Sequence, residues 1–501
     1  YRAWDGTGAA AGATVDASLT GNATPFSSAY DQASIAVSAV NDAPVLAVGD
    51  TTLSTINEDD VGNAGHLVSS LRGTTTDVDA GAVQGLAITS LGSGNGTWQY
   101  STDGGSTWIN ADVGGPVSAT HALLLRDTDH IRFVPNAENA TTAGFNYRAW
   151  DQTSGTAGGY ADTSANGGST AFSSQQNAMD ITVTAVNDAP VLASAAPVLN
   201  PLTEDDTTNP GQTVASFIGS TISDVDSGAT TGIAITATNN GNGHWQYSTD
   251  GGSTWTTVSG LDGSNGLLLA DTDKIRFVPN AENATSPSFS YRAWDRTVGT
   301  AGSLAAISAT GTTSPYSTDQ NTASIVVSAV NDAPVLAAGN TTLNTLTEDA
   351  ASNAGQTVAS LRGTTTDVDA GAVQGLAITS LGSGNGTWQY STDGGNTWIN
   401  ADAGGPLSAT HALLLRDADR LRFVPNSAND TVAGLGYRAW DQTSGTAGGY
   451  ADTSANGGST AFSSQQNAMD ITVTAVNDAP VLAPAAPVLN PITEDDTTNP
   501  G

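Results

Sequence analysis

The sequence predicts an all-β chain built as a string of sandwich domains, and three observations carry that prediction. The first is repetition. The string YRAWD begins at Tyr1, Tyr147, Tyr291 and Tyr437, and AVNDAPVL recurs in step with its Asn at Asn41, Asn187, Asn331 and Asn477. A unit of about 145 residues is a whole domain rather than one turn of a solenoid. The second is that the apolar segments are short, rich in β-branched and aromatic residues, and bounded by Gly, Asn and Asp. The third is that no segment holds a 3.6-residue period long enough for a core helix.

Taking the repeat over residues 45–190, the candidate strands run in order through Val45 to Leu53, His66 to Leu71, Gly85 to Leu91, Thr97 to Ser101 and Thr107 to Asn110. They continue through Ala122 to Leu125, His130 to Val134, Phe145 to Trp150 and Met179 to Val186. This pattern fits an immunoglobulin-like sandwich of about 145 residues with an inserted hairpin. Complete repeats are expected at 45–190, 191–334 and 335–480. The C-terminal part of a repeat would occupy 1–44, and the first strand of another 481–501, as in a window cut from a longer protein.

A second period lies above the first. Residues 147–192 return letter for letter as 437–482, at an offset of 290, so the duplicated unit is a pair of domains. Near-identity between copies argues for a property that adds up with copy number, such as length or multivalency.

Composition narrows the function. The 501 residues carry 48 acidic side chains against 14 basic ones, a formal charge of −34, which argues against a nucleic-acid partner. Zero Cys excludes a disulfide framework, Cys-based zinc sites and thiol catalysis. No run approaches the length of a membrane span, and no basic segment followed by an apolar one opens this window. The single Lys, Lys274, rules out Lys-to-Asn isopeptide staples in each domain. Stability is expected from packed cores and from bound cations.

The acids are placed rather than scattered. If consecutive strands run antiparallel, their loops alternate between the two ends of a domain. Counting along the repeat, Asp77, Asp79 and Asp151 fall at one pole, with Asn41 and Asp42 entering from the preceding repeat; Glu58, Glu138, Asn187 and Asp188 fall at the other. In a tandem string that second pole meets Asp224, Asp226 and Asp295 of the next repeat. The following junction would use Glu204, Glu282, Asn331, Asp332, Asp367, Asp369 and Asp441. Six carboxylates in one crevice repel unless neutralised or protonated. Ca²⁺ takes six to eight oxygen ligands in flexible geometry, whereas Mg²⁺ is more exacting. All six Glu of the chain, at 58, 138, 204, 282, 348 and 494, belong to the loops that the count sends to the second pole. The same sequences, DxD, NDAP and TEDD, are also good turn and cap sequences that need no metal.

VNDAPVL, followed by TEDD and TDVDAG, resembles the cadherin-like and VCBS-type repeats of very large bacterial surface and secreted proteins, and NDAP resembles the Asn-Asp-x-Pro linker of cadherins. The resemblance covers nearly the whole chain. It implies extracellular sandwiches joined end to end by interdomain Ca²⁺ in the extender of an adhesin or filament. Neighbouring repeats of the same chain would be the partners, with copies of the chain as a further partner in a filament. Two departures stand out: a longer unit than is usual in that family, and a third repeat whose loop reads Asn426, Ser427, Ala428, Asn429, without the Glu of the other two.

Ser101 to Trp108 fits S-x-D-x-G-x-T-W, as do the segments around Asp250 and Asp393, and this resembles the Asp-box of sialidases. One box per repeat excludes a propeller. It reads as a hairpin staple or as a glycan-contacting loop, with Trp98 or Trp108 as the stacking face. Asp127 and Asp129, with Asp271, Asp273, Asp417 and Asp419, read as tight turns or as further cation ligands. Arg148, Arg292 and Arg438 are expected to pair with a nearby carboxylate. His66, His121, His130, His244 and His411 do not recur at one position in every repeat, and no GxSxG, HExxH or P-loop appears, so catalysis is not expected. The sequence thus points to a calcium-stiffened, non-enzymatic extender at a bacterial surface, with a self-assembling filament or sheath and a glycan-binding array as the alternatives.

Overall fold

A computed structural model describes residues 1–484, 488–489, 491–495 and 497–498. The described chain is all-β and forms tandem β-sandwiches. It divides into two compact units, Tyr1–Asp188 with Val225–Gly228, and Ala189–Asp224 with Ala229–Gly501.

In the first unit thirteen strands follow in order: β1 (Val45–Leu46), β2 (Thr51–Thr52), β3 (Ile56–Asn57), β4 (His66–Leu67), β5 (Thr75–Thr76), β6 (Gly85–Gly92), β7 (Gly96–Ser101), β8 (Ile109–Asn110), β9 (Ala122–Arg126), β10 (His130–Pro135), β11 (Thr141–Trp150), β12 (Tyr160–Ala161) and β13 (Asn177–Thr184). One sheet runs β4-β10-β7-β8. The other runs β12-β9-β6-β11-β13-β2, with β3 also on β13. Alternation along β13 buries Asn177, Met179, Ile181 and Val183 and exposes Asp180, Ile181's neighbour, as a half-covered strand requires. Between the sheets lie Leu86, Ile88, Trp98, Leu123, Leu125, Ile131, Phe133, Phe145 and Tyr147. Trp98 meets Phe133 and Phe145 edge-on, with ring centroids 5.2 and 5.0 Å away.

The extra length of the unit has two uses. The β7–β8 hairpin widens the smaller sheet, and the chain after Trp150 folds back over the outer face of the larger one. There Trp150 and Phe172 cover Ala87, Ala122 and Leu124 in a second apolar layer. YRAWD is read by alternation: Tyr147 and Ala149 face the main core while Trp150 faces this outer layer.

Three expectations are corrected. The span Val45 to Leu53 is two short strands, because the chain leaves β5 after Leu46 and rejoins the larger sheet at Thr51. His66 to Leu71 ends as a helical turn, Val68–Ser70, which seats Val68 and Leu71 in the core; one turn is too brief to leave a periodic signal. The strands also do not all run antiparallel, since β2 and β3 both pair parallel with β13. The expected first strand of a further repeat at 481–501 falls in part outside the described residues.

The second unit holds two sandwiches. One has a four-stranded sheet around Lys274–Pro279 and Gly243–Ser248, and a five-stranded sheet around Gly232–Asn239 and Ser288–Trp294. The other repeats the strand order of the first unit, with Gly375–Gly382, Thr431–Trp440 and Asn467–Thr474 central. Pro287 explains why the five-stranded sheet is smaller. A proline has no N–H to donate, so the strand equivalent to β11 begins only at Ser288. Its core is also refitted. Met179 and Met469 lie across from Phe145 and Leu435, but Phe289 faces Ala323. Phe217 takes up the volume there, edge-on to Phe289 and Tyr291 at 5.7 and 6.1 Å.

The Asp127/Asp129 pair and its equivalents are tight turns. Arg72 holds Asp127 at 2.8 Å, and buried Asp129 accepts from the Arg126 amide at 2.7 Å and its guanidinium at 2.8 Å. Asp419 has the same partner in Arg416, but Asp273 faces Ala270, whose backbone amide reaches it at 2.7 Å. Burial pushes the Asp273 carboxyl above its ordinary range. Ala270→Arg is therefore expected to stabilise this sandwich at neutral pH by about 1 kcal/mol, the worth of one charge-assisted hydrogen bond. A thermal melt at pH 7 that shows no rise would count against it.

Candidate metal centre

The parallel pairing of the short entry strand with the last strand delivers an acid to the end of each sandwich. In the first unit β3 ends at Asn57, and the Glu58 amide donates to Thr184 O at 3.0 Å. Asp60 turns the chain by accepting from the Asn57 amide at 2.9 Å. Glu58 is then fully buried, with Oε1 accepting from the Val186 amide at 2.7 Å. The second unit repeats this twice, at Glu204 with Val330 and at Glu348 with Val476, each at 2.7 Å. In all three, the second oxygen, Oε2, is buried and accepts no hydrogen bond among the described residues.

Around these glutamates other acids gather. Carboxylate oxygens of Glu58, Asp188 and Asp226 lie within 4.8 Å of one another, and so do those of Glu204, Asp332 and Asp369. The Asp188 amide donates to Asp226 Oδ2 and the Asp332 amide to Asp369 Oδ2, each at 2.9 Å. Asp367 Oδ1 accepts from the Asp369 amide at 3.0 Å, while Oδ2 of Asp367 and Oδ2 of Asp332 are buried without a hydrogen bond. Asn331 Nδ2 donates to Asp441 Oδ2 at 2.9 Å, and Asp441 Oδ1 takes the Thr443 amide at 2.8 Å. Glu58, Glu204 and Asp367 thus each spend one oxygen on the backbone and keep the other buried.

The electrostatics show the crowding. Burial, then Asp369, Asp205, Glu204 and Asp367, push the Asp332 carboxyl above its ordinary range. Burial, with Asp369 and Asp441 adding to it, raises Asp367 against the opposing Asp369 amide. Of the acids and the Asn expected at this junction, the structure brings together Glu204, Asn331, Asp332, Asp367, Asp369 and Asp441. Asp205, which the sequence reading passed over, also bears on the cluster. In the first unit Asn187 lies beside Asp188, its Nδ2 donating to Asp188 O at 3.0 Å. Asp224 and Asp295 lie in the second unit, where Asp295 takes the Thr297 amide at 2.8 Å. At the other pole of the first unit the Asp42 amide donates to Asp79 Oδ2, and Asn41 Nδ2 to Asp151 Oδ2, both at 2.9 Å. Asp77 Oδ1 takes the Asp79 amide at 2.9 Å.

Glu138 and Glu282 are corrections. Both are exposed, and each accepts from the side chain of a local Asn, Asn136 or Asn280, at 2.8 Å. The residue of that loop which reaches the cluster is the next one, Asn139 or Asn283. Val225 O accepts from this Asn in the first unit and Val368 O in the second. A backbone turn with Ala137 at φ 58° and Ala281 at φ 57° aims the Asn inward, which no residue-type pattern announces.

The fit to a divalent cation rests on these orphaned buried oxygens. An unpartnered buried carboxylate oxygen is costly, and hard oxygen donors at this spacing suit Ca²⁺. Both acid groups have the donors to hold a metal ion.

No family model matches the chain, and no curated protein matches it. Among solved structures it is similar to Drosophila N-cadherin EC1-4, at 10% identity and a TM-score of 0.26, covering 86% of this chain and 74% of that one. It is also similar to human CDH23 EC21-23, at 12% identity and a TM-score of 0.35, covering 86% and 99%. A third is the CupB6 tip adhesin from Pseudomonas aeruginosa, at 11% identity and a TM-score of 0.18, covering 58% and 99%.

The Asp-box and YRAWD residues make contacts within their own sandwich. Asp103 accepts from the Thr107 amide at 2.9 Å and its hydroxyl at 2.7 Å, and the Thr107 hydroxyl, then its amide, then Ser101 hold the Asp103 carboxyl down at about 2. Trp98 does not offer a stacking face: as an inward position of β7 it is 1% exposed. Trp108 is half-buried with the Arg132 guanidinium 4.2 Å over its ring. Among the described residues, Arg148, Arg292 and Arg438 pair with no carboxylate. Each donates to backbone carbonyls of the covering loop, as Arg148 does to Ser173 O at 3.0 Å, because that loop lies directly over the strand.

Proposed function

We propose that this chain is a non-enzymatic, extracellular extender of a bacterial surface adhesin, whose sandwiches are held to one another by Ca²⁺. The observation that carries the reading is the buried Glu204: its Oε2 accepts no hydrogen bond among the described residues, and one of its carboxylate oxygens lies within 4.8 Å of carboxylate oxygens of Asp332 and Asp369. Glu204, Asp332, Asp367, Asp369 and Asp441 would hold the ions, with Asn331 orienting Asp441. Glu58, Asp188 and Asp226, with Asn187, would do the same in the first unit, and Asn41, Asp42, Asp77, Asp79 and Asp151 would form the half-site at its other pole. The repeats would be 45–190, 191–334 and 335–480.

Ca²⁺ is favoured over Mg²⁺ because the acids come from several loops with no octahedral arrangement imposed on them. Extracellular modules bind Ca²⁺ with dissociation constants of about 10⁻⁴ to 10⁻³ M, so millimolar calcium would stabilise by about 0.4 to 1.4 kcal/mol per ion. Spacing a binding module from a surface needs many similar stiff units and no reactive group, which is what near-identical copies supply.

The test is a calcium titration of the full chain, following melting temperature and scattering envelope. Calcium should raise the melting temperature by several degrees and extend the envelope, and Asp367→Ala with Asp369→Ala should remove the response of the second unit. A parent chain whose stability and envelope ignore calcium would end the reading.

A further inference from the structure

We propose that Asn283, and Asn139 in the first unit, is a latch that needs no ion: its side-chain amide clamps the Asp-Val-Asp loop from which the acids project. The clamp is two-sided. Asn283 Nδ2 donates to Val368 O at 3.0 Å and its Oδ1 accepts from the Ala370 amide at 2.9 Å, so the two bonds bracket Asp369. Asn139 does the same, with Nδ2 to Val225 O at 2.9 Å and Oδ1 from the Ser227 amide at 2.6 Å, bracketing Asp226. One planar amide gives and takes a hydrogen bond as a neighbouring β-strand would, and thereby fixes the loop's register.

The chemistry of the residue is specific. An Asp here could not donate to Val368 O and would add a further negative charge beside Asp369. An Asn supplies the geometry without charge, so neither pH nor salt nor divalent ions switch it. The sequence separates latch from acid. The third repeat has Ala428 where the others have Glu138 and Glu282, but it keeps Asn429, and Ser427 holds the same left-handed turn at φ 55° as Ala137 and Ala281. The backbone strain of that turn, on a residue other than glycine, is retained in all three copies. The latch lies at the site of the proposed calcium cluster but does not depend on the ion.

Amide hydrogen exchange on the full chain, in chelator, tests it. In the parent the Ala370 and Ser227 amides should be protected without calcium. Asn283→Ala should speed exchange at Ala370 by about tenfold, as for one lost hydrogen bond. It should leave Ser227 and the strand Gly375–Gly382 unchanged, which shows that the sandwich is still folded. Asn139→Ala should do the converse, and Asn283→Asp should be at least as damaging as Asn283→Ala. Unchanged exchange at Ala370 in Asn283→Ala, or protection of Ala370 that appears only with calcium, would overturn the latch. A chain that ignores calcium but shows the predicted exchange keeps the latch and loses the calcium reading.

Discussion

Glu204→Gln is expected to make the second unit more stable than the parent in chelator and less stable in millimolar calcium. Gln keeps an oxygen for the Val330 amide, which Glu204 Oε1 now accepts at 2.7 Å, so the turn itself is preserved. What disappears is a buried negative charge that helps to push up the Asp332 carboxyl. Two like charges about 5 Å apart at an effective dielectric near 20 repel by roughly 3 kcal/mol, and partial exposure of the neighbours reduces this to about 1 to 2 kcal/mol. With calcium present the sign turns, because an ionised ligand has been replaced by a weaker neutral donor and each tenfold loss of affinity removes up to about 1.4 kcal/mol of linkage. Paired melts of parent and variant in the two media check this. A change of the same sign in both would show that no ion uses Glu204. Glu282→Gln, at an exposed position turned toward Asn280, should move neither melt.

Acid should likewise act in opposite directions with and without calcium. Asp332 and Asp367 are raised in the folded state, chiefly by burial and then by neighbouring carboxylates. A folded carboxyl raised above its unfolded value of about 4 takes up its proton first, so in chelator stability rises as pH falls from neutrality through the folded pKa, and levels off below the unfolded one. With calcium bound the same protons displace the ion, and stability falls over that window by about 1 kcal/mol for each ion released. The Asp-box carboxyl of Asp103, held at about 2, stays ionised throughout, so its hairpin does not contribute to the change. Melts at several pH values, in chelator and in calcium, decide it; parallel curves would mean that the cluster neither titrates nor binds.

The fold class was readable because alternation and turn residues mark strands plainly, as in the buried-exposed pattern of β13. The acids at TEDD, NDAP and DVD were readable because few Glu occur and all sit in two loop types. Glu138 was misjudged because sequence gives the pole of a loop but not the direction of each side chain. The left-handed Ala137 rotates Glu138 to solvent and Asn139 inward. The parallel entry strands β2 and β3 were missed because two-residue strands carry no pattern; their pairing is decided by β13, over a hundred residues later. Arg148 was misjudged because its partners are main-chain carbonyls of the covering loop, and those have no residue type to search for.

The refitted interior of the middle sandwich bears on how such a polymer escapes tangling as it is made. Tandem copies invite a strand from one to settle in the next, a common failure of repetitive chains. Here Met179 lies across from Phe145, and its counterpart Ala323 across from Phe289, where Phe217 already fills the space. A final strand borrowed from the first sandwich would drive a methionine into that ring, an overfilling that costs about 1 to 3 kcal/mol. Alternating two kinds of bead therefore makes adjacent ones poor acceptors of each other's pieces, while those that could exchange freely are kept one bead apart.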